Sequence, residues 1–187
     1  MPNYRRFRVA GASYFFTVNL AQRGRSTLTD NIEVLRAAYR ATVADHPVRC
    51  DAMVVLPDHI HAVWTMPEGD ADYSLRWGAI KARFTRGLRR VGFHPTNDIW
   101  PIPRSPSKIA KGDAGIWQRR FWEHMIRDDQ DYAAHVRYCW LNPVEHGLVE
   151  NPEDWPYSSA RGAIRAGRRR RVGFHPTICA DRPRGMI

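Results

Sequence analysis

The sequence is short of cysteine and of long apolar runs. Its 187 residues include three cysteines, Cys50, Cys139 and Cys179, which is an odd number without the spacing of metal ligands. Such cysteines fit thiols in a reducing cytoplasm rather than a disulfide framework. No stretch is long or apolar enough to span a bilayer, so we expect no membrane partner. At this length we expect one domain with a sizeable core.

Acidic residues are scarce relative to basic ones. The chain has 29 basic and 19 acidic residues, a formal net charge of +10 and a pI of about 10.1. Only three of the basic residues are lysines, and arginine suits forked phosphate contacts and stacking on unpaired bases. Because strongly basic soluble proteins bind nucleic acid more often than any other partner, we expect a nucleic-acid partner here.

The N-terminal segment has the rough outline of a secretory signal. Arginines precede the apolar residues 9–20, but Ser13 and Thr17 interrupt that run. Tyr14, Phe16, Val18 and Leu20 place an apolar side chain at every second position, which is typical of a half-buried strand. We therefore predict a strand here rather than a cleaved signal peptide.

His59 and His61 are the most informative pair in the chain. The residues around them are apolar and β-branched or aromatic, which predicts a strand. Side chains two apart on a strand point to the same face, so both imidazoles project together. Two histidines at this spacing can form half of a metal site, or they can be a hydrogen-bonded or surface pair. Spacing alone does not separate these alternatives.

A short helix is predicted about eighty residues later, over residues 129–142. Asp128 or Asp129 can cap its start, and Pro143 is expected to stop it after Asn142. Its apolar stripe comprises Tyr132, Val136 and Cys139. Its polar stripe comprises Asp131, His135, Tyr138 and Asn142. The pattern therefore predicts a structural role for Tyr132 and a cleft position for Tyr138, where a deprotonated phenol can act as a nucleophile.

The predicted elements follow the order β-α-β-β-α-β-α. They are strands at about 12–21, 48–66 (a hairpin turning at Pro57 and Asp58) and 117–126, with helices at about 30–45, 73–90 and 129–142. This order predicts an α+β fold of the ferredoxin-like kind, with a mostly antiparallel sheet and helices packed against it. The histidine strand is expected to be central, with the tyrosine helix across the sheet face.

Two segments look added to this core. Residues 91–115 are rich in proline and glycine and are predicted to be a flexible loop, while residues 164–187 are predicted to be a basic, disordered tail after a domain that spans 1–163. The octamer of residues 89–96 recurs at 170–177. A short DNA repeat inserted into the gene is the favoured explanation, and a duplicated binding motif is the alternative.

Seven blocks of the sequence carry a resemblance to a known family. In chain order they span residues 3 to about 160, which is more specific than any single motif. With them the chain resembles the REP-associated tyrosine transposases, a family of the HUH single-strand endonuclease superfamily, which is named for its His-hydrophobic-His motif. The blocks are residues 3–6, 14–20, 54–64, 66–72, 116–124, 138–149 and 154–159.

The resemblance implies a function and a site. It implies that His59 and His61 bind a divalent cation, Mg²⁺ or Mn²⁺, that Tyr138 is the nucleophile, and that Asn142 stands at the place of a polar third ligand. It further implies an HUH-type fold and cleavage of single-stranded DNA at hairpins of repetitive extragenic palindromes (REP) through a 5′-phosphotyrosine link. A monomer located in the cytoplasm at the nucleoid is expected.

Weaker candidates surround this set. Asn3, Tyr4, Arg5 and Arg6 could read bases near a hairpin, or they form a frayed basic terminus. Arg119 and Arg120, in the strand before the tyrosine helix, could hold the scissile backbone. His124 could support a ligand imidazole, or it makes an ordinary polar contact.

Two other functions are compatible with parts of the pattern. A noncatalytic binder of DNA hairpins that regulates or organises repeats would not require the set His59, His61, Tyr138 and Asn142. A metal-dependent phosphodiesterase that uses water would leave Tyr138 without a role.

Overall fold

The computed structural model describes residues 7–93 and 114–167. The candidate DNA-binding residues Asn3, Tyr4, Arg5 and Arg6, most of the predicted loop, and nearly all of the predicted tail lie outside these ranges. The regular elements are β1 (Ser13–Asn19), α1 (Thr27–Asp30), α2 (Ile32–Asp45), β2 (Arg49–Val55), β3 (His59–Thr65), α3 (Tyr73–Arg90), β4 (Trp122–Met125), α4 (Asp129–Glu145) and α5 (Ala160–Gly167).

The four strands form one antiparallel sheet in the order β2-β3-β1-β4. The α+β class and the interior position of the histidine strand are thus as predicted. In the register between β1 and β3, Thr17 lies opposite His61 and Asn19 lies opposite His59. The sheet therefore aligns the histidines with polar residues of the neighbouring strand.

Both faces of the sheet are covered. On one face, Phe16 and Trp64 pack with side chains from α2 and α3, and the rings of Trp64 and Trp77 stack with centroids 4.2 Å apart. On the other face, Phe15 packs with Val136 and other side chains of α4. The alternation predicted for β1 is confirmed at Tyr14, Phe16 and Val18, which are fully buried. Phe15 departs from it, because α4 buries this residue on the second face.

Helix α4 runs past Pro143, where the sequence predicted its end. Asp128 caps its start by accepting a hydrogen bond from the Asp131 N–H at 2.8 Å. Proline removes one N–H from the helical ladder, but the His146 N–H still donates to the Asn142 carbonyl at 3.0 Å. One lost hydrogen bond is tolerated in the last turn, and the chain leaves the helix at Gly147, whose φ is +64°.

Other boundaries also differ from the predictions. β4 is shorter than residues 117–126, so Arg119 and Arg120 precede the strand as exposed residues instead of lying within it. The Phe93 N–H donates to the Leu88 carbonyl at 2.9 Å, and Ala114 is buried in the core. The two ends of the predicted loop are therefore part of the fold, and only its portion 94–113 lies outside the described ranges. Helix α5 also continues past residue 163, where the sequence analysis placed the end of the domain and the start of the tail.

Within residues 7–93 and 114–167, no helix combines the length and apolar character needed to cross a bilayer.

Candidate active site

His59 and His61 lie at the start of β3, on the face that α4 covers. Their ring centroids are 4.9 Å apart, and both side chains are almost fully buried. The preceding turn is closed by a hydrogen bond from the Leu56 N–H to the His59 carbonyl at 2.8 Å. The pair is thus fixed by a tight hairpin and by the pleat of an interior strand.

Each imidazole is oriented through its Nδ1 atom. Nδ1 of His61 is 2.9 Å from Thr17 Oγ1, and His59 donates from Nδ1 to Asp58 Oδ1 at 2.6 Å. Asp58 is itself held by the Gly24 N–H at 2.7 Å and by Arg23 Nε at 3.0 Å. Because Nδ1 of each ring is engaged, Nε2 is the nitrogen with which each histidine could bind an ion.

Thr17 and Asp58 were not predicted from the sequence. Asp58 directly precedes the histidine pair, but its sequence position is equally typical of a turn residue. The partner of His61 depends on the register between β1 and β3, which local sequence does not specify.

The pair is held in the neutral form that binds metal ions. Burial lowers the pKa of His61 to about 3, and the charges of His59 and His146 act in the same direction. Burial also lowers the pKa of His59, against the opposing effect of Asp58. Burial would raise the pKa of Asp58, but its hydrogen bonds to Gly24 and His59 and the charge of Arg23 outweigh it, so that pKa is lowered. Asp58 is therefore a carboxylate that accepts from a neutral imidazole.

Tyr138 faces this pair from α4. Its ring centroid is 5.1 Å from that of His61, and the residue is 42% exposed. Tyr132, on the same helix, packs against the second core cluster and hydrogen-bonds the buried carboxylate of Asp51. The structure thus separates an accessible tyrosine beside the histidines from one engaged in packing, as the helical pattern predicts.

Asn142 lies one helical turn after Tyr138 and is 1% exposed. Its Oδ1 atom has no hydrogen-bond partner among the residues that the structure describes. A buried carbonyl oxygen without a partner is energetically costly, and a bound cation would satisfy it. Two Nε2 atoms and this oxygen fit the donor set expected for a divalent ion at such a site.

His146 was missed by the sequence analysis. It follows Asn142 by four residues, and its ring centroid is 5.5 Å from that of His59. Residues 138, 142 and 146 therefore lie along one side of the helix opposite the histidine pair. The i+4 spacing was available as a signal, but the expected stop at Pro143 hid it.

The remaining predicted residues lie around this centre. Arg119 and Arg120 adjoin Gln118, whose N–H donates to the Asn19 carbonyl at 3.0 Å, at the end of β1 that pairs with His59. His124 donates to Asp131 Oδ2 at 2.8 Å. Since Thr17 and Asp58 hold the two imidazoles, the structure does not bear out the expectation that His124 supports one of them.

Comparisons with known proteins find close relatives of this chain. The chain is 41% identical over 167 residues to the REP-associated tyrosine transposase of Escherichia coli K12, covering 89% of this chain and 87% of the relative. It is 43% identical over 166 residues to a Haemophilus influenzae protein assigned to the same family, covering 89% of each. A comparison with protein-family models gives no match.

The fold has a solved counterpart. A structure of the REP-associated tyrosine transposase bound to a REP hairpin matches with a TM-score of 0.71 and 40% identity, covering 89% of this chain and 87% of that one. An antiparallel sheet with a histidine pair facing a helix-borne tyrosine thus places the chain among transposase-like DNA-processing enzymes. The chain belongs to the REP-associated tyrosine transposase family.

Proposed function

We propose that this protein is a metal-dependent endonuclease and strand transferase that cleaves and rejoins single-stranded DNA at REP hairpins. One observation carries the proposal. The accessible Tyr138 ring lies against His61 of the buried histidine pair, and Asn142, one helical turn after Tyr138, has a buried oxygen without a hydrogen-bond partner among the described residues. A protein that only binds hairpins has no need of this combination.

His59, His61 and Asn142 would hold Mg²⁺ or Mn²⁺. When bound, such an ion supplies polarisation of a non-bridging oxygen of the scissile phosphate. Two imidazoles favour manganese over magnesium, so phosphate and water oxygens are needed to complete the coordination of a hard cation. Neutral histidines and an uncharged amide leave the ion its full positive charge for this purpose.

Tyr138 supplies the nucleophile. Its phenol loses a proton to water, which the exposure of the side chain permits, and the phenolate oxygen attacks the phosphorus in line. The bond from phosphorus to the 3′ oxygen breaks, leaving a 5′-phosphotyrosine link and a free 3′-hydroxyl. That hydroxyl can attack the link and restore the phosphodiester, so strands can be exchanged without an external energy source.

The DNA partner is argued from charge and from the relative. The net charge of +10 favours a phosphate backbone, and the solved relative is bound to a REP hairpin. Arg119 and Arg120 are exposed beside the end of β1 that pairs with His59, where they can contact the strand near the cut. Asn3, Tyr4, Arg5 and Arg6 are proposed as further DNA contacts. We propose that the protein acts as a monomer at the nucleoid.

A labelled hairpin tests the proposal. The protein is incubated with Mn²⁺ and a single-stranded REP hairpin that carries a label at either the 5′ or the 3′ end. We expect a denaturation-resistant adduct with the 3′-labelled strand only, because the 5′ phosphate of that fragment is joined to the protein. Binding without an adduct would instead identify a noncatalytic hairpin binder, and cleavage without an adduct would identify a phosphodiesterase that uses water.

A further inference from the structure

A second group of side chains of the kinds that bind metal ions lies beside Phe15, whose ring also contacts Tyr138. His124 extends from β4, while Asp131 and His135 lie on the first turns of α4. His124 Nε2 is 2.8 Å from Asp131 Oδ2, and His135 Nδ1 is 2.9 Å from Asp131 Oδ1. One donor atom from each of the three residues lies within 4.8 Å of the other two. Two imidazoles thus converge on one carboxylate.

The surroundings leave this group accessible and well ordered. The side chains of the three residues are each about one-fifth exposed (20–21%). The two imidazole rings stack with centroids 4.8 Å apart, and the Trp122 ring stacks on the outer side of His124. The Arg127 N–H also donates to Asp131 Oδ2 at 3.0 Å, which fixes the carboxylate.

This group is separate from the histidine pair of β3. The Phe15 ring lies between them, with centroid distances of 5.5 Å to His61 and 4.7 Å to His135. An ion held by His135 therefore cannot share a ligand with one held by His61. Centres of the two-metal type place their ions about 3.5–4 Å apart, which the intervening ring prevents.

We propose that His124, Asp131 and His135 bind a divalent transition-metal ion of the zinc, cobalt and nickel class at a second, independent site. Imidazole nitrogens with one carboxylate suit these ions, whereas Mg²⁺ prefers an oxygen shell. Asp131 and His135 have the i, i+4 spacing by which one helix face supplies two ligands. Donor atoms of a tetrahedral zinc site lie about 3.3 Å apart, given bonds of about 2.0–2.2 Å. The contacts of 2.8 and 2.9 Å to Asp131 therefore have to lengthen by only a few tenths of an ångström to admit the ion.

The ion replaces two hydrogen bonds. Its bond to His124 Nε2 takes the place of the hydrogen bond to the Asp131 carboxylate, and its bond to His135 Nδ1 takes the place of the hydrogen bond to the Asp131 backbone carbonyl at 2.8 Å. Each neutral ring then carries its proton on the other nitrogen. The ion joins the edge strand β4 to the helix that carries Tyr138, one turn before that residue. Its fourth position faces solvent and is open to water or to a phosphate oxygen of DNA.

The test measures metal binding instead of cleavage, so it does not depend on the proposed function. The full chain with His59→Ala and His61→Ala, stripped of metal by a chelator, is titrated with Zn²⁺ by calorimetry and with Co²⁺ by absorption. We expect one ion per chain, a tetrahedral Co²⁺ spectrum and a rise in the unfolding temperature. Adding His135→Gln, which can still hydrogen-bond Asp131, should weaken binding by more than about tenfold.

A second set of variants covers the case in which the double variant does not fold. In the otherwise unchanged chain, His124→Gln and His135→Gln should each lower the Zn²⁺ content by one ion per chain relative to wild type. Circular dichroism checks that each variant is folded. Zn²⁺ binding that is absent with His59 and His61 replaced, or that is unaffected by changes at His124 and His135, would show that the cluster is only a hydrogen-bonded link and would overturn the proposal.

Discussion

The ring of Tyr138 stands nearly perpendicular to the ring of His61, at an interplanar angle of 73° and a centroid distance of 5.1 Å. His61 comes from an interior strand whose register fixes its position, and Tyr138 comes from a helix packed over that strand. The tyrosine is therefore set against the candidate metal-binding face while its side chain remains 42% exposed. This relationship gives the most direct test of the proposed chemistry.

Tyr138→Phe removes only the phenolic oxygen. The variant should fold normally and bind hairpins, yet form no covalent adduct. Tyr132→Phe is the matched control and should cleave nearly as well as wild type, with a loss of about 1 kcal/mol in unfolding free energy because its hydroxyl hydrogen-bonds Asp51. Mass spectrometry of the DNA-linked peptide identifies the attachment site. An adduct on Tyr132 would refute the assignment.

His59→Ala and His61→Ala should each abolish cleavage in Mn²⁺ or Mg²⁺. Hairpin affinity should change little, because it arises mainly from phosphate contacts of basic residues. EDTA should stop the wild-type protein in the same way, and an excess of Mn²⁺ should restore it. Gel-shift and cleavage assays on the same hairpin separate the two effects. Undiminished cleavage by either variant contradicts the metal assignment.

Stability should decrease as the pH falls below about 6.5. Burial lowers the pKa of His61 from 6.5 to about 3, so between these values the unfolded chain binds a proton that the folded chain does not. The stability contribution is complete above pH 6.5 and is lost progressively toward pH 3. From pH 7 to pH 5 the expected loss from His61 is about 2 kcal/mol. Urea unfolding at both pH values measures this loss of unfolding free energy. In the His61→Gln variant the unfolding free energy should depend less steeply on pH. An equally steep pH dependence in that variant would exclude His61 as its source.

Two glycines of α3 offer a matched pair for stability. A Cβ at Gly87 would overlap Val34 Cγ1 of α2, whereas a Cβ at Gly78 meets nothing within 4 Å. Gly87→Ala should lower the unfolding free energy by about 1–2 kcal/mol. Gly78→Ala should raise it by about 0.5–1 kcal/mol, because alanine favours the helix. Combining Gly87→Ala with Val34→Ala should recover part of the loss, and equal effects at the two glycines would exclude steric overlap as the cause.

The boundaries of the added segments are tested by two deletions. Replacing residues 94–113 with a short flexible linker should preserve folding and cleavage. Removing 91–115 should lower the unfolding temperature, because it also deletes Phe93 and Ala114, which contact the core. Truncation after Gly167 should preserve the fold and weaken nonspecific DNA binding, with a flatter salt dependence. Loss of the fold on removal of 94–113 would show that this segment is structural.

The sequence predicted what depends on local pattern. The orientation of His59 and His61, the bounds of α3 and the different environments of Tyr132 and Tyr138 all follow from strand or helix periodicity. Contacts between distant segments were not accessible in this way. The hydrogen bond of His61 to Thr17 depends on strand register, and the burial of Phe15 depends on which helix covers the second face.

The outcomes at Pro143 and His124 both depend on contacts that local sequence does not specify. The sequence analysis expected Pro143 to end the helix. In the structure the proline removes only one hydrogen bond, and packing keeps the last turn helical. The early stop is also why His146 was not predicted as part of the site. For His124 the sequence left open a contact with a ligand imidazole or an ordinary polar contact, and the structure pairs it with the Asp131 carboxylate seven residues later. Pairing of polar groups across elements is decided by the assembled fold.

The hydrogen bond between Thr17 and His61 couples the register of β1 and β3 to the orientation of His61 in the site. A slip of β1 by one residue would bring Phe16 or Val18 opposite His61, neither of which can hydrogen-bond an imidazole, and would turn the aromatic residues of each core toward the wrong face. Misregistered forms thus lose core packing and the oriented histidine together. A chain that has formed the sheet in the correct register therefore also has His61 oriented by Thr17.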